Sequence, residues 1–176
     1  MLVIFYAVKV RHLEARLANA EGIQSGLVAG ERVGAVRGED LAGRPTSLLF
    51  GADLRPTVLY VFTPTCIWCR RNMANLKALI AADQSRFRFV GISLAQDNLL
   101  PGYLAANSLK FTALIRDLPA AELGQLRLGV TPQTIVVSPA GVVLQDWRGA
   151  YTGPVEQGAG RYFGIRFPGL LNSNAN

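Results

Sequence analysis

Residues 58–80, VLYVFTPTCIWCRRNMANLKALI, hold both cysteines of the chain, Cys66 and Cys69, with two residues between them. A β-branched and aromatic run ends at Phe62, the composition of a strand. After Cys66 the period changes. Met73, Leu76 and Ile80 recur at +3 and +7 with Leu79 beside them, which makes one apolar helix face. The cysteines therefore sit where a strand hands over to a helix. Two thiols this close share a role: half of a metal site, a small structural loop, or a reversible redox couple.

A structural zinc or iron–sulfur site needs about four ligands. The chain offers two cysteines and one histidine, His12, far away in the N-terminal segment and expected on the surface of a first helix. A cysteine protease needs a histidine beside its nucleophile, and His12 fails that requirement too. A purely structural disulfide would close a very small loop and stabilise little. The redox couple remains. At a helix N-terminus, unpaired N–H groups and the helix dipole favour the thiolate and lower a cysteine pKa from about 8.5. Cys66 stands there, with Arg70 and Arg71 close by. Cys69, one turn further on, is expected to be more buried and less acidic. Cys66 should then attack or be attacked, and Cys69 resolve the mixed disulfide.

Strands and helices alternate around this unit. TSLLF (46–50), TVLYVF (57–62) and FRFVGISL (87–94) read as strands, residues 97–109 as carrying a short helix, and FTALI (111–115) as a brief strand. A helix is expected near residues 119–126, and QTIVVSP and VVLQDWRG flank Pro139-Ala140-Gly141 as an antiparallel hairpin. That alternation specifies an α/β sheet with helices on both faces. With 176 residues, half of them hydrophobic and 17% charged, one domain with a full core is expected.

The net charge of +6 is spread along the chain without a Lys/Arg-rich block or a helix-turn-helix pattern, so nucleic acid is not an expected partner. Anionic lipid head groups are a better use for such charge, and solubility is the plain one. MLVIFYAVKV opens with eight apolar residues, short of the roughly 20 that span a bilayer, and no positive charge precedes them as in a secretory signal. Two readings stand: the last third of an anchor helix, or an amphipathic first helix with Val10, Leu13 and Leu17 on one side. Residues 20–30, with three glycines, read as a linker.

Downstream, LGVTPQTIVVSPAGVVLQDWRG places Thr131-Pro132 directly before an apolar strand and hairpin. Together with the strand–CxxC–helix unit, this resembles the thioredoxin superfamily. Residues 42–62 also look like the lead-in hairpin of its membrane-anchored, cytochrome-maturation-type thiol–disulfide proteins and redoxins. The resemblance covers about residues 30–150; it is specific for the superfamily and weak for the branch. It implies a thioredoxin fold: a central mixed sheet with helices on both faces, an N-terminal hairpin and a helix–strand insertion supplied by residues 95–115. The implied division is an N-terminal helix or anchor with its linker (1–30), a thioredoxin-like domain (31–150) and a C-terminal extension (151–176).

The same resemblance implies Cys66 and Cys69 as the catalytic pair, Pro132 in cis, and Thr131 offering its backbone to a substrate cysteine. Trp68, at an exposed helix start, is expected to contact substrate. No cofactor or metal is implied. The expected partners are protein thiols or disulfides and an upstream electron donor or acceptor, met by a monomer tethered to the inner membrane on its periplasmic side. Three departures stand out. Tyr60 occupies the place of thioredoxin's buried acid, and Asn72 the place where periplasmic relatives carry a glutamate, so a proton carrier for Cys69 is missing from both. The inner pair is Ile67-Trp68 rather than a Gly-Pro or Pro-Pro type. The competing class is a non-catalytic thioredoxin-like binding module that uses the Trp68 and Thr131 surface. A peroxiredoxin-like peroxidase is a weaker alternative: Thr63 matches its threonine, but Leu59 stands where its proline is required. Copper-delivery relatives space their cysteines by three residues and add a distant histidine, and neither feature is present.

Overall fold

The computed structural model describes residues 26–95 and 98–171. The expectations for a first helix, an anchor and His12 fall outside the described residues. Residues 26–33 lie along the later hairpin: the Gly30 N–H donates to the Val143 carbonyl at 2.8 Å, and the Leu27 N–H to the Asp146 carboxylate at 2.7 Å. Leu27 and Val33 are buried, so the end of the expected linker is part of the core.

Strands β1 (Val36–Glu39) and β2 (Pro45–Leu48) form a separate antiparallel hairpin. This corrects the sequence reading, which placed the hairpin within residues 42–62. The TSLLF run pairs backwards with VRGE, and Phe50 opens a 3-10 turn instead of continuing as strand. Only Val36 of β1 is buried, so the strand carries almost no apolar signal. A bridge between Glu39 and Arg116 docks this hairpin on the sheet.

Strand β3 (Thr57–Phe62) is the middle of the main sheet and is buried at all six positions. It leads into helices α1 (Ile67–Arg71) and α2 (Met73–Asp83), then β4 (Arg88–Ser93), α3 (Leu99–Ala106), β5 (Ala113–Ile115), α4 (Ala120–Gln125), β6 (Gln133–Val137), β7 (Val143–Arg148) and α5 (Gly153–Phe163). The sheet order is β5-β4-β3-β6-β7, with β4 parallel to β3 and β5, and with β6 antiparallel to both of its neighbours, β3 and β7. Strands covered on both faces must be apolar almost throughout, which is why TVLYVF and QTIVV read so plainly.

The pleat sorts the core into two faces. Leu59 and Val61 of β3, with Val90, Ile92, Ile135 and Val137, meet Val36, Leu48, Phe50, Leu126 and Leu128 on one side. Val58, Phe89 and Val136 point the other way, onto Leu79 of α2 and onto Ala159 and Phe163 of α5. Tyr60 and Phe62 share that second face with Cys69, Met73, Leu76 and Leu100. Successive residues alternate faces because the strand period is two.

The segment after Ala150, expected as an extension, contributes to this core. Helix α5 starts with Pro154 in its first turn and ends at Gly164, whose φ of +72° suits a left-handed cap. Beyond it Phe167 packs on Tyr151 with ring centroids 4.4 Å apart.

Candidate functional site: the Cys66–Cys69 turn and the Thr131–Pro132 loop

Strand β3 ends at Phe62 and the chain turns through residues 63–65, with the Cys66 N–H donating to the Thr63 carbonyl at 3.2 Å. Cys66 is the N-cap of α1. Its backbone is extended (φ −69°, ψ 115°) and its Sγ accepts the Cys69 N–H at 3.2 Å. A cap normally uses a side-chain oxygen for an orphan N–H; here a thiol does it. Cys69 is fully buried, whereas Cys66 is partly exposed, and both are free thiols. The expected asymmetry is present.

Burial pushes the Cys66 thiol up, but hydrogen bonds from Cys69, with Thr131 and with the Trp68 backbone, outweigh it and leave the thiol more acidic than an ordinary cysteine. Cys69 is driven the opposite way, first by burial and then by its interaction with Cys66. The same close pair of thiols is thus shifted in opposite directions.

The loop before β6 closes the site from the other side. Thr131-Pro132 is a cis peptide, and the Thr131 carbonyl accepts from Cys66 Sγ at 3.4 Å. Strand β6 pairs antiparallel with β3 from Gln133 opposite Val61, which brings the Pro132 loop beside the turn that follows β3. Of the five residues expected at the site, Cys66, Cys69 and Thr131 are brought into direct contact, and Pro132 is carried with Thr131. Trp68 lies on the rim, 47% exposed, with the Arg71 guanidinium 4.8 Å from its ring centroid. Ile67 and Val130 are also exposed. Ile67, Trp68 and Val130 thus leave apolar surface exposed at positions next in sequence to Cys66, Cys69 and Thr131, with the cation of Arg71 against the Trp68 ring.

Asn72 is where the sequence reading missed a structural role. It separates α1 from α2 (φ −80°, ψ 1°), where one continuous helix was expected, and it is completely buried. Its Oδ1 accepts the Tyr151 N–H at 2.9 Å and Asn75 Nδ2 at 3.0 Å, while its Nδ2 donates to Tyr60 Oη at 3.3 Å. Asn75 Oδ1 in turn accepts the Gly169 N–H at 2.8 Å, and the Leu171 N–H donates to the Arg71 carbonyl at 2.8 Å. Position 72 is thus the knot that ties the CxxC helix to the segment after β7.

Helix α3 adds a residue that no sequence signal marked. Tyr103 packs against the cluster containing Cys69, on which Cys66 also packs, and its ring is stacked on Phe62 at 5.6 Å between centroids. Its hydroxyl is shut off from solvent and has no hydrogen-bond partner among the described residues. Also among the described residues, no three His, Cys, Asp or Glu side chains gather as metal ligands.

No protein-family profile and no curated protein matches the chain. Solved structures do. The thioredoxin domain of a thiol-disulfide oxidoreductase from Bacteroides vulgatus superposes with a TM-score of 0.62 at 18% identity, covering 78% of this chain and 99% of that one. A secreted Mycobacterium tuberculosis disulfide oxidoreductase homologous to E. coli DsbE gives 0.56 at 22% identity, over 73% of this chain and 95% of that one. StoA from Bacillus subtilis gives 0.55 at 16% identity, over 70% and 92%. At these identities the likeness carries architecture, and in its sheet order, its strand–CxxC–helix turn and the proline loop beside that turn, this chain has the thioredoxin fold.

Proposed function

We propose that the protein is a thiol–disulfide oxidoreductase that works on protein partners through the Cys66–Cys69 couple. The observation that carries this reading is the asymmetry of the pair. The partly exposed Cys66 thiol caps a helix, accepts the Cys69 N–H and is made more acidic, while Cys69 is buried behind it and kept protonated. In the reducing direction the Cys66 thiolate attacks a partner disulfide. A Cys66–partner disulfide forms and one partner sulfur leaves as a thiol. Cys69 then attacks Cys66, the internal disulfide forms, and its proton ends on the second partner thiol. The dithiol has been oxidised and the partner reduced; oxidation of a partner runs the same steps backwards.

The rim of Ile67, Trp68 and Val130 and the Thr131 backbone are the surface on which the partner's cysteine segment would lie. We place the protein outside the cytoplasm, tethered by its N-terminal segment. That setting is supported by the apolar run at residues 1–8 and by the secreted Mycobacterium protein that shares its fold. Among the described residues no helix is long and apolar enough to cross a membrane.

The test is trapping. Cys69→Ser should accumulate a mixed disulfide between Cys66 and a disulfide-bearing protein such as insulin, and wild type should accelerate insulin reduction by dithiothreitol. A wild-type protein without catalysis, and a Cys69→Ser variant that traps nothing, would leave a binding module as the better description.

A further inference from the structure

The exchange chemistry proposed above needs Cys69 to become a thiolate while it is buried. Neither place where a carboxylate was expected supplies one: Tyr60 is a phenol, and the polar atoms of Asn72 are committed to Tyr60, Asn75 and Tyr151. A buried, negatively charged sulfur is costly, because burial penalises the charged form; at Cys69 hydrogen bonds from the Thr63 backbone and the Thr131 side chain act against that rise without overcoming it. A further donor in the shell around Cys69 would take up more of that charge.

Two phenols stand in that shell. Tyr60, on β3, takes the Asn72 amide at its hydroxyl and is part of the network holding the helix break. Tyr103, on α3, is different. Its ring is fixed by stacking on Phe62, and it packs against the cluster that includes Cys69, as Cys66 does too. Yet its hydroxyl meets neither solvent nor a protein partner among the described residues. An orphaned buried hydroxyl costs on the order of 1–3 kcal/mol, so a group that tolerates one in its resting state has reason to find a partner in another state. Burial first, and then charge on Cys69 and less so on Cys66, opposes ionisation of Tyr103 and keeps the phenol a donor. Arg70 acts on the same phenol in the opposite sense.

We infer that the Tyr103 hydroxyl donates a hydrogen bond to the Cys69 thiolate while Cys69 attacks the mixed disulfide, so that α3 completes the active site. The proton stays on Tyr103 throughout. The Cys69 proton is lost as the attack begins and is regained by the departing partner thiolate, so the step is balanced without any further oxidant or reductant. The inference rests on the proposed exchange function, and it assigns to a helix outside the CxxC unit the job for which no acid is present. A phenol suits it, because near neutral pH a phenol can donate but not compete for the proton.

The test is a single turnover. One equivalent of 5,5′-dithiobis(2-nitrobenzoate) added to the reduced protein should release one thionitrobenzoate as Cys66 is captured and a second as Cys69 resolves it. The second release isolates the step in question. Tyr103→Phe deletes only the hydroxyl and keeps the stacked ring. It should slow the second release by about tenfold or more, as expected for losing a hydrogen bond to a charged group. Its rate–pH profile should move to higher pH, the first release should be unchanged, and the unfolding midpoint should stay level or rise because an unpaired buried group has been removed. An unchanged second release, or a slowing without the alkaline displacement, overturns the inference and leaves the exchange reading intact. A wild-type protein that never releases the second equivalent overturns the exchange reading and this inference with it.

Discussion

Replacing Asn72 with alanine is expected to weaken the whole domain rather than the redox site alone. The side chain makes three hydrogen bonds in a fully buried setting: from the Tyr151 N–H at 2.9 Å, from Asn75 Nδ2 at 3.0 Å, and to Tyr60 Oη at 3.3 Å. Alanine leaves the Tyr151 N–H without its acceptor, at a cost of about 1–3 kcal/mol for a buried orphan. Asn75 keeps a weaker bond to the Tyr151 carbonyl at 3.5 Å, so its loss is smaller. The vacated amide volume adds about 1 kcal/mol where the surroundings cannot collapse. Together these give a loss of roughly 2–5 kcal/mol, a large part of the roughly 5–15 kcal/mol that holds a domain of this kind. Equilibrium urea unfolding of the reduced protein measures it as a lower midpoint with an unchanged slope. Asn72→Asp keeps an acceptor for Tyr151 and for Asn75, and should lose less while its carboxyl is protonated. A loss below about 1 kcal/mol for Asn72→Ala, or equal losses for both variants at acid pH, would refute the knot.

Three further outcomes follow from the structure. Iodoacetamide should alkylate Cys66 before Cys69 at every pH, with a Cys66 midpoint below the usual cysteine range, since the two thiols are shifted in opposite directions. The shift of Cys69 has a stability consequence with a defined sign. Its folded pKa lies above the unfolded one, so its contribution is present below about pH 8.5 and is lost as pH rises beyond it, which Cys69→Ser should abolish in pH-dependent unfolding. Gly38→Ala should loosen the N-terminal hairpin, because a Cβ there would meet the Arg116 carbonyl and Ile115 Cγ2 at 2.6 Å each. A loss of about 1–3 kcal/mol is expected from overpacking, and an unchanged urea midpoint would show the hairpin free to shift.

What the sequence disclosed, and what it hid, follow from where each signal resides. The strand TVLYVF, the CxxC handover and the hairpin across Pro139-Ala140-Gly141 were legible because each is local: burial on both faces makes a continuous apolar run, and a tight turn needs its own residues. Strand β1 was not, because VRGE earns its place through pairing with β2 and the close pass of Gly38 against Arg116, both set by distant parts of the chain. Helix α5, rich in glycine, has weak propensity of its own and is held by Ala159 and Phe163 in the core. Asn72 was read as a missing acid because its partners, Tyr60 and Tyr151, lie 12 and 79 positions away. Tyr103 had no signal at all. An aromatic residue on a short helix reads as packing until the fate of its hydroxyl is known.

The site also shows how one neutral network can replace a charged one. Between the CxxC helix and β7, a buried carboxylate would have to be desolvated and paired, and would tie the stability of the domain to its protonation. Here Asn72, Tyr60, Asn75, Tyr151 and Thr134 fill that space with groups that stay neutral near physiological pH; Tyr151 Oη and Thr134 Oγ1 lie 2.8 Å apart. The network fixes the helix break one turn beyond Cys69 without adding charge beside it. The causes that shift the two thiols are accordingly burial, the thiols themselves and bonds with Thr63, Trp68 and Thr131, with no acid among them. The acidity of Cys66 then depends on the backbone that caps it, and the timing of Cys69 on when its proton can leave. On the inference drawn above, the Tyr103 hydroxyl on α3 joins the Thr63 backbone and the Thr131 side chain in receiving the charge left on Cys69.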